Sequence, residues 1–154
     1  METKYLANTY SCEEILPELS DVFSAIAAPG TKQIIEWALQ HIAECLDIDR
    51  CGFWKVAENL QSIYLIHQFT RPEFAKDPPV LSNENFPQMF AQVLTGTYFY
   101  FNRLEDIGSE ALIMKDIFQR LGVKSGLLIP YNIAGKTNFV MTFDAIRKEI
   151  TFTP

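Results

Sequence analysis

The side chains best able to act as nucleophiles or metal ligands in this chain are three cysteines and two histidines. Cys12, Cys45 and Cys51 are not closely spaced, and Cys51 has no obvious general base beside it. A lone thiol without a base is poorly suited to nucleophilic catalysis. His41 and His67 are too few for a histidine-rich site, and His67 could share a metal with Cys51 only if adjacent strands brought them together. We therefore expect structural roles for these residues and no metal site.

The carboxylates and glycines show no catalytic arrangement either. The aspartates are scattered along the chain, and no pair of them resembles an acid–base dyad. Asp47 and Asp49 flank Ile48 between a predicted helix and a predicted strand, where turn formation explains them. Gly122 and Gly126 lack the remaining positions of a phosphate-binding loop. We therefore expect a domain that is not itself an enzyme.

The composition limits the classes of function. The chain has 154 residues, of which 48% are hydrophobic, and its formal net charge is −6. One globular domain fits this length. The acidic balance argues against a nucleic-acid partner and against an anionic membrane surface, because both need basic residues. No apolar run approaches the ~18 residues of a membrane span, and the N-terminus has no signal-peptide pattern. The sequence thus predicts a cytoplasmic protein with free thiols and without nucleic-acid or membrane partners.

Apolar residues at helical spacing predict four helices, and runs rich in β-branched and aromatic residues predict strands. Two of the helices have candidate N-caps, at Thr31 and Ser109, and two are expected to end at glycines, Gly96 and Gly122. The predicted helices are 17–28, 31–46, 86–94 and 109–121, and the predicted strands are 49–57, 61–69 and 97–101, followed by a hairpin within 122–144.

The hairpin is the best-formed element of the sequence. Ala134-Gly135 is a plausible two-residue turn, with the glycine supplying a positive φ. Pro130 lies inside its first strand and cannot donate to a ladder, so an edge, a bulge or a locally unpaired site is expected there. The order of helices and strands predicts an α+β architecture with a mainly antiparallel sheet.

Three blocks of the sequence, taken in order, resemble a GAF domain. They are "LDIDRCGFWKVAENLQSIYLIHQF", "LSNENFPQMFAQVLTGTYFYF" and "FQRLGVKSGLLIPYNIAGKTNFVMTFDAIRKE". The family pattern has a strand that opens with Asp-Arg, an apolar helix before a glycine, and a closing block of the form "lGv.S.l.iPi...g...g.l.fd". The resemblance extends from about Glu18 to the end of the chain.

The resemblance implies a particular arrangement of the α+β fold. The antiparallel sheet has strand order 2-1-5-4-3, with helices on one face and a ligand pocket under helices and loops on the other. It implies an N-terminal arm at residues 1–16 and a single domain over 17–154. GAF domains normally finish with a helix after the last strand, and "AIRKEITFTP" ends where that helix would begin. We therefore expect a domain truncated at its C-terminal helix.

Strand alternation indicates which side chains face that pocket. Gly52, Trp54 and Val56 share one face of their strand, and the hairpin residues with the same orientation are Gly126, Leu128, Pro130, Asn138, Val140, Thr142 and Asp144. The resemblance implies that these are the pocket faces, with Gly126 leaving room for a ligand and Trp54 supplying a flat wall. The aromatic segments "TYFYF" and "FPQMF" could line the pocket or fill a core. The predicted ligand-binding residues are Trp54, Phe86, Phe90, Gly126, Leu128, Thr142 and Asp144.

Departures from known GAF signatures argue against several ligands and leave the cofactor open. The cyclic-nucleotide group carries an Asn-Lys-Phe-Asp-Glu signature, whereas Phe118 is followed here by Gln119 and Arg120. Covalent tetrapyrrole attachment uses a cysteine beyond the second strand or in an N-terminal arm, where Cys12 is only a remote candidate. Methionine-sulfoxide reduction uses cysteines in the loops and the third-helix region, and no cysteine follows Cys51. Neither cyclic GMP nor a covalently attached bilin is therefore expected.

The leading hypothesis is a non-enzymatic, cytoplasmic, sensory or regulatory domain of a larger signal-transduction protein, which binds a small ligand over the sheet. The alternative is a ligand-free structural connector that dimerises and whose pocket is filled by its own aromatic side chains. The resemblance also implies an effector domain in the same chain, such as a histidine kinase or a diguanylate cyclase. We expect a homodimer through helix 17–28, because its apolar stripe resembles one seam of a helical bundle, although the stripe could instead pack on its own sheet.

Overall fold

An antiparallel sheet of six strands forms the centre of the domain. The structure is a computed structural model, and it describes residues 9–11, 32–74 and 81–153. Within these residues the α-helices are α1 (Lys32–Cys45), α2 (Pro87–Val93) and α3 (Leu112–Leu121). The strands are β1 (Thr9–Ser11), β2 (Arg50–Val56), β3 (Ser62–Thr70), β4 (Leu81–Ser82), β5 (Phe99–Phe101), β6 (Ser125–Ile133), β7 (Lys136–Ala145) and β8 (Thr151–Thr153).

The strand order of the main sheet is β4-β3-β2-β7-β6-β5. If β2, β3, β5, β6 and β7 are counted as the first to fifth strands, this is the order 2-1-5-4-3 with the short strand β4 added beside β3. All neighbouring pairs in the sheet are antiparallel. The predicted α+β class and the predicted strand order are therefore confirmed.

The two faces of the sheet are covered by different helices. Alternate residues of β2, β6 and β7 point to opposite faces, as the period of two along a strand requires. One face, which we call the α1 face, packs on α1 and includes Phe53, Leu127 and Phe143. The other, which we call the cavity face, packs on α2 and α3 and includes Trp54 and Leu128.

Local sequence signals explain where the helices on the cavity face begin and end. Pro87 occupies the first turn of α2, where a missing N–H costs nothing and the fixed φ suits a helix. Helix α3 ends at Gly122, whose φ of 75° is left-handed, as predicted. The prediction that Ser109 caps this helix is wrong. Residues Ser109–Ala111 form a turn of 3-10 helix instead, and α3 itself starts at Leu112 without a side-chain cap.

The hairpin of β6 and β7 has the predicted turn. Ala134 and Gly135 have φ values of 51° and 76°, and the flanking Ile133 and Lys136 face each other. Pro130 pairs with Val140 of β7 but lies past Leu128, where the pairing of β6 with β5 begins. The proline is thus in a stretch of β6 without a described strand on its β5 side, which is the locally unpaired site that the sequence predicts.

A second, two-stranded sheet joins the beginning and the end of the described chain. Strand β1 pairs with β8 in parallel, with Thr9 opposite Thr151. Strand β1 lies within the predicted N-terminal arm, whereas the predicted helix 17–28 and the predicted cap Thr31 lie outside the described residues. No helix in the described ranges is both long enough and apolar enough to cross a membrane.

Candidate ligand-binding site

A small cavity lies on the cavity face, between the sheet and helices α2 and α3. Its volume is about 20 Å³, which is room for about one water molecule. Strands β2, β3 and β7 supply its polar residues, which are Arg50, Gln68, Thr142 and Asp144. Gly52 lies between them, and the apolar walls are Trp54, Leu81, Met89, Phe118, Leu121 and Leu128. The arrangement is a mostly apolar space with polar groups gathered on its floor.

Trp54 and Thr142 are held together at the floor of this cavity. The indole Nε1 of Trp54 donates to the hydroxyl oxygen of Thr142 at 2.9 Å. A Cβ at Gly52 would lie 2.5 Å from that indole nitrogen and 2.7 Å from the Thr142 oxygen. Only glycine at position 52 therefore leaves room for the pair, which fixes the orientation of the indole ring.

An ion pair between β2 and β7 forms the charged part of the floor. The guanidinium Nε of Arg50 donates to Oδ2 of Asp144 at 2.8 Å, and the two residues face each other in the strand register. Burial raises the pKa of the Asp144 carboxyl above its usual value, and Arg50 opposes that shift. The pair thus neutralises most of the charge on this surface but does not remove the cost of burying it.

One donor of this ion pair has no partner among the described residues. Arg50 is only 3% exposed, and its Nη2 makes no hydrogen bond there. A buried donor left unsatisfied is costly, and most buried polar groups in native proteins avoid it. Arg50 lines the cavity together with Trp54 and Thr142, but its Nη2 is itself fully buried, so a ligand oxygen could reach this donor only if neighbouring side chains moved.

Four of the seven predicted ligand-binding residues line this cavity, namely Trp54, Leu128, Thr142 and Asp144. The structure brings them together because they share one face of three neighbouring strands, as the alternation of side chains indicates. Whether any of them contacts a ligand stays a prediction.

The other three predicted residues, Phe86, Phe90 and Gly126, do not line the cavity. Phe86 and Phe90 are buried in the core of the cavity face, where Phe86 packs edge-on against Phe118 at a ring distance of 5.7 Å. A Cβ at Gly126 would lie 2.7 Å from the ring of Phe101. Gly126 therefore makes room for an aromatic ring of the chain itself and not for the cavity, which corrects the reading of its role.

Arg50 and the helix residues of the wall were not predicted from the sequence. Arg50 lies two residues before Gly52, so the same alternation that identified Gly52 and Trp54 assigns it to the cavity face. Met89, Phe118 and Leu121 belong to apolar helical stripes. Such a stripe indicates burial but not which of its residues borders a cavity.

Asp47 and Asp49 do more than form a turn. Buried Asp49 accepts hydrogen bonds from the backbone N–H groups of Ile146 and Arg147, at 2.6 and 2.8 Å, and its other oxygen pairs with the side chains of Arg71 and Arg147. Asp47 pairs with Lys148 and accepts from Arg147 at 2.5 Å, and these contacts lower the pKa of its carboxyl. The cluster ties the loop after β7 to the start of β2.

Cys51 and His41 lie away from this site, and Cys12 lies outside the described residues. Cys51 is fully buried on the α1 face, and burial raises the pKa of its thiol. His41 is on the exposed side of α1, stacked on Trp37 at a ring distance of 5.4 Å. The described residues contain no group of three or more His, Cys, Asp or Glu side chains that could hold a metal ion.

Comparison by sequence gives no relatives. No protein-family model matches the chain, and no curated protein matches it.

Comparison by structure gives clear similarities of fold. The GAF domain of PixJ from Thermosynechococcus elongatus, in its blue-light absorbing form, superposes with a TM-score of 0.62 at 13% identity, covering 90% of this chain and 77% of that one. The GAF domain region of a protein from Geobacter sulfurreducens PCA gives a TM-score of 0.63 at 13% identity, with 91% and 85% covered. A domain from Sinorhizobium meliloti 1021, described as part of a two-component sensor histidine kinase, gives 0.59 at 11% identity, with 79% and 78% covered. The chain therefore has the fold of a GAF domain.

Proposed function

We propose that this chain is a cytoplasmic, non-enzymatic sensory or regulatory domain of a larger signal-transduction protein, and that it binds a small ligand in the cavity above β2 and β7. The fold supports the first part, because solved structures of this shape include a domain of a sensor histidine kinase and a light-absorbing GAF domain. The geometry of the cavity supports the second.

The observation that carries the proposal is the uneven placement of buried polar groups. The cavity face buries Arg50 and Thr142 beside Asp144 under two apolar helices, whereas the α1 face of the same strands, apart from Ser125 at the start of β6, is filled by apolar side chains such as Phe143. Buried polar groups lower stability relative to a well-packed apolar core. A few polar groups in an otherwise apolar concave space are typical of small-molecule sites.

The alternative, a ligand-free connector, is favoured by one observation. The cavity of about 20 Å³ is far below the roughly 300–1,000 Å³ of ordinary small-molecule sites. Binding of anything larger than water therefore requires the side chains of α2 and α3 to move aside. Met89 is suited to such movement, because its unbranched side chain adapts to different shapes.

Native mass spectrometry of the freshly purified protein separates the two functions, since it reports both a bound mass and the oligomeric state. A sensory domain is expected to carry, or to accept from a metabolite mixture, a small molecule that the variant Leu128→Phe loses because the larger ring fills the cavity. The variant Trp37→Phe is the matched control, because Trp37 is 65% exposed on α1 and remote from the cavity. If no metabolite binds the wild-type protein, the connector is the better assignment.

We also propose a homodimer through the segment 17–28 and an effector domain in the same natural protein. Helix α1, which follows that segment in the sequence, exposes Ile34 and Trp37, so α1 itself offers apolar surface to a partner. Light scattering at high protein concentration tests the dimer, and a monomer under those conditions would remove it.

A further inference from the structure

From the unused donor of Arg50 we infer that the ligand of this cavity is a neutral molecule with a carbonyl-type oxygen on a compact apolar body, and that Arg50 Nη2 binds this oxygen. The inference rests on the proposed ligand-binding function and specifies its chemistry.

The Arg50 guanidinium has a hydrogen-bond donor that is not used. Nε of Arg50 is used by Asp144, while Nη2 has no partner among the described residues although the side chain is almost completely buried. A guanidinium has only donors, so the missing partner must be an acceptor. A hydrogen bond from a charged donor is worth more than one between neutral groups, so a suitable oxygen gains affinity there.

The neighbouring hydroxyl of Thr142 can also act as a hydrogen-bond donor. The oxygen of Thr142 already accepts the indole N–H of Trp54, and its own hydrogen can rotate to donate. Thr142 and Arg50 both line the cavity. Once the neighbouring side chains move aside for a ligand, these two residues would offer it two donors, which again selects a ligand oxygen.

The charge of Asp144 favours a ligand carbonyl over a ligand carboxylate. Asp144 already balances the charge of Arg50, at 2.8 Å. A ligand carboxylate would place a second negative charge on the same guanidinium inside an apolar space, where unbalanced charge is costly. A neutral carbonyl satisfies the donor and adds no charge.

The remaining walls select the body of the ligand. Trp54, Met89, Phe118 and Leu128 present hydrocarbon and aromatic surface without further charge. Because the cavity is small, a compact ring fits better than a long or multi-ring molecule. A five-membered ring with one exocyclic oxygen is a suitable probe.

The test compares three probes that share a five-membered carbon ring and differ in their oxygen atoms. They are cyclopentanone, cyclopentane and cyclopentanecarboxylate. The chain has two tryptophans, so the variant Trp37→Phe leaves a single indole N–H signal, that of Trp54, in a nitrogen–proton NMR spectrum. Each probe is titrated against this signal, which lies at the cavity floor. We expect cyclopentanone to bind at least about tenfold more tightly than cyclopentane and than the carboxylate.

Variants then locate the effect. Arg50→Lys keeps a cation beside Asp144 but removes Nη2. In this variant the affinity for cyclopentanone is expected to fall to the affinity for cyclopentane. The affinity for cyclopentane itself should not change. Arg71→Lys is the matched control, because Arg71 pairs with Asp47 and Asp49 outside the cavity, and it should preserve the preference for the ketone. If Arg50→Lys does not fold, the order of the three probes on the wild-type cavity decides alone.

The outcomes distinguish the two levels of the argument. Equal binding of cyclopentanone and cyclopentane, tighter binding of the carboxylate, or an unchanged ketone preference in Arg50→Lys would overturn the carbonyl assignment and leave the ligand cavity standing. If none of the three probes shifts the Trp54 signal, the inference falls, while the ligand-binding function is decided separately by native mass spectrometry with the metabolite mixture.

Discussion

The two faces of the central sheet are built from the same three strands and differ in what they bury. On the α1 face, β2, β6 and β7 contribute side chains such as Phe53, Leu127 and Phe143, which pack against α1. On the cavity face, the same strands contribute two glycines, a threonine and the Arg50–Asp144 pair. A sheet that only needed stability could have filled both faces with apolar side chains.

The difference shows that small and polar residues on one face of a strand can indicate which side of the sheet carries a binding site. Gly52 and Gly126 are both on the cavity face, and each has a ring against it, the indole of Trp54 and the ring of Phe101. Two rings thus lie close to the backbone here, and the cavity is the space beside one of them, the indole of Trp54. The α1 face provides the rigid support on which this less tightly filled side depends.

The largest expected effect comes from truncating a leucine on each face. Leu127 and Leu128 are adjacent in β6 and almost completely buried, but they face α1 and the cavity respectively. Leu127→Ala is expected to lower the free energy of unfolding by about 4–5 kcal/mol and Leu128→Ala by about 2–3 kcal/mol, because a side chain beside an existing cavity loses fewer contacts.

Urea or guanidinium unfolding of the two variants and the wild-type protein measures both losses. Equal losses would mean that the two faces are packed equally well. A greater loss for Leu128→Ala would reverse the comparison.

The next effect distinguishes a carboxylate that holds the fold from one that serves the cavity. Asp49 binds two backbone N–H groups and two arginines, whereas Asp144 is joined to Arg50. Asp49→Asn is expected to cost about 3 kcal/mol, because it removes one partner of a buried ionic network. The loss for Asp144→Asn should be smaller, since burial already disfavours the charged form of Asp144. The same unfolding experiment tests the order, and a greater loss for Asp144→Asn would contradict it.

Particular residues show how far the sequence could predict this arrangement. The period of two along β2 and the hairpin placed Trp54, Leu128, Thr142 and Asp144 on one face, because alternation is a local property of a strand. The resemblance supplied the strand order, which local patterns do not determine. The turn at Ala134-Gly135 followed from turn chemistry alone.

The structure departs from the sequence-based expectations where contacts distant in sequence decide the outcome. Gly126 was read as room for a ligand, but Phe101 on the neighbouring strand β5 occupies that room. Phe86 and Phe90 have the helical spacing of a buried stripe, and that spacing is the same whether the stripe borders a cavity or a core. Whether Nη2 of Arg50 makes a hydrogen bond depends on the positions of all its neighbours in space. A local sequence pattern does not contain this information.

A smaller effect, visible only as a dependence on pH, follows from Asp144. Its pKa is raised in the folded protein, so the folded state holds this proton to higher pH than the unfolded state, whose aspartates titrate near 3.9. Stability contributed by this group is therefore present below about pH 4 and is lost as the pH rises through the folded pKa.

Asp144→Asn cannot ionise and is the reference for this effect. The free energy of unfolding of the wild-type protein should fall relative to that of the variant as the pH increases above about 4. Unfolding curves at several pH values between about 3 and 7 measure the difference. A wild-type protein that gained stability over the variant would show that Arg50 outweighs burial at this position.

The smallest expected effect lies at a point that belongs to neither face, the turn between β6 and β7. Ala134 is exposed and has a φ of 51°, a left-handed conformation that costs an alanine about 1–2 kcal/mol. Asparagine tolerates this conformation and is favoured before glycine in such hairpins. Ala134→Asn should therefore raise the free energy of unfolding by about 0.5–1 kcal/mol.

Ala91→Asn, at an exposed position of helix α2, is the control with the opposite sign, because asparagine is a poorer helix former than alanine. Neither change touches the cavity, so affinities for the ring-containing probes should be the same in both variants. A gain in stability that came with altered probe binding would mean that the hairpin tip and the cavity are coupled, and the difference between the two faces could then no longer be assigned to their packing alone.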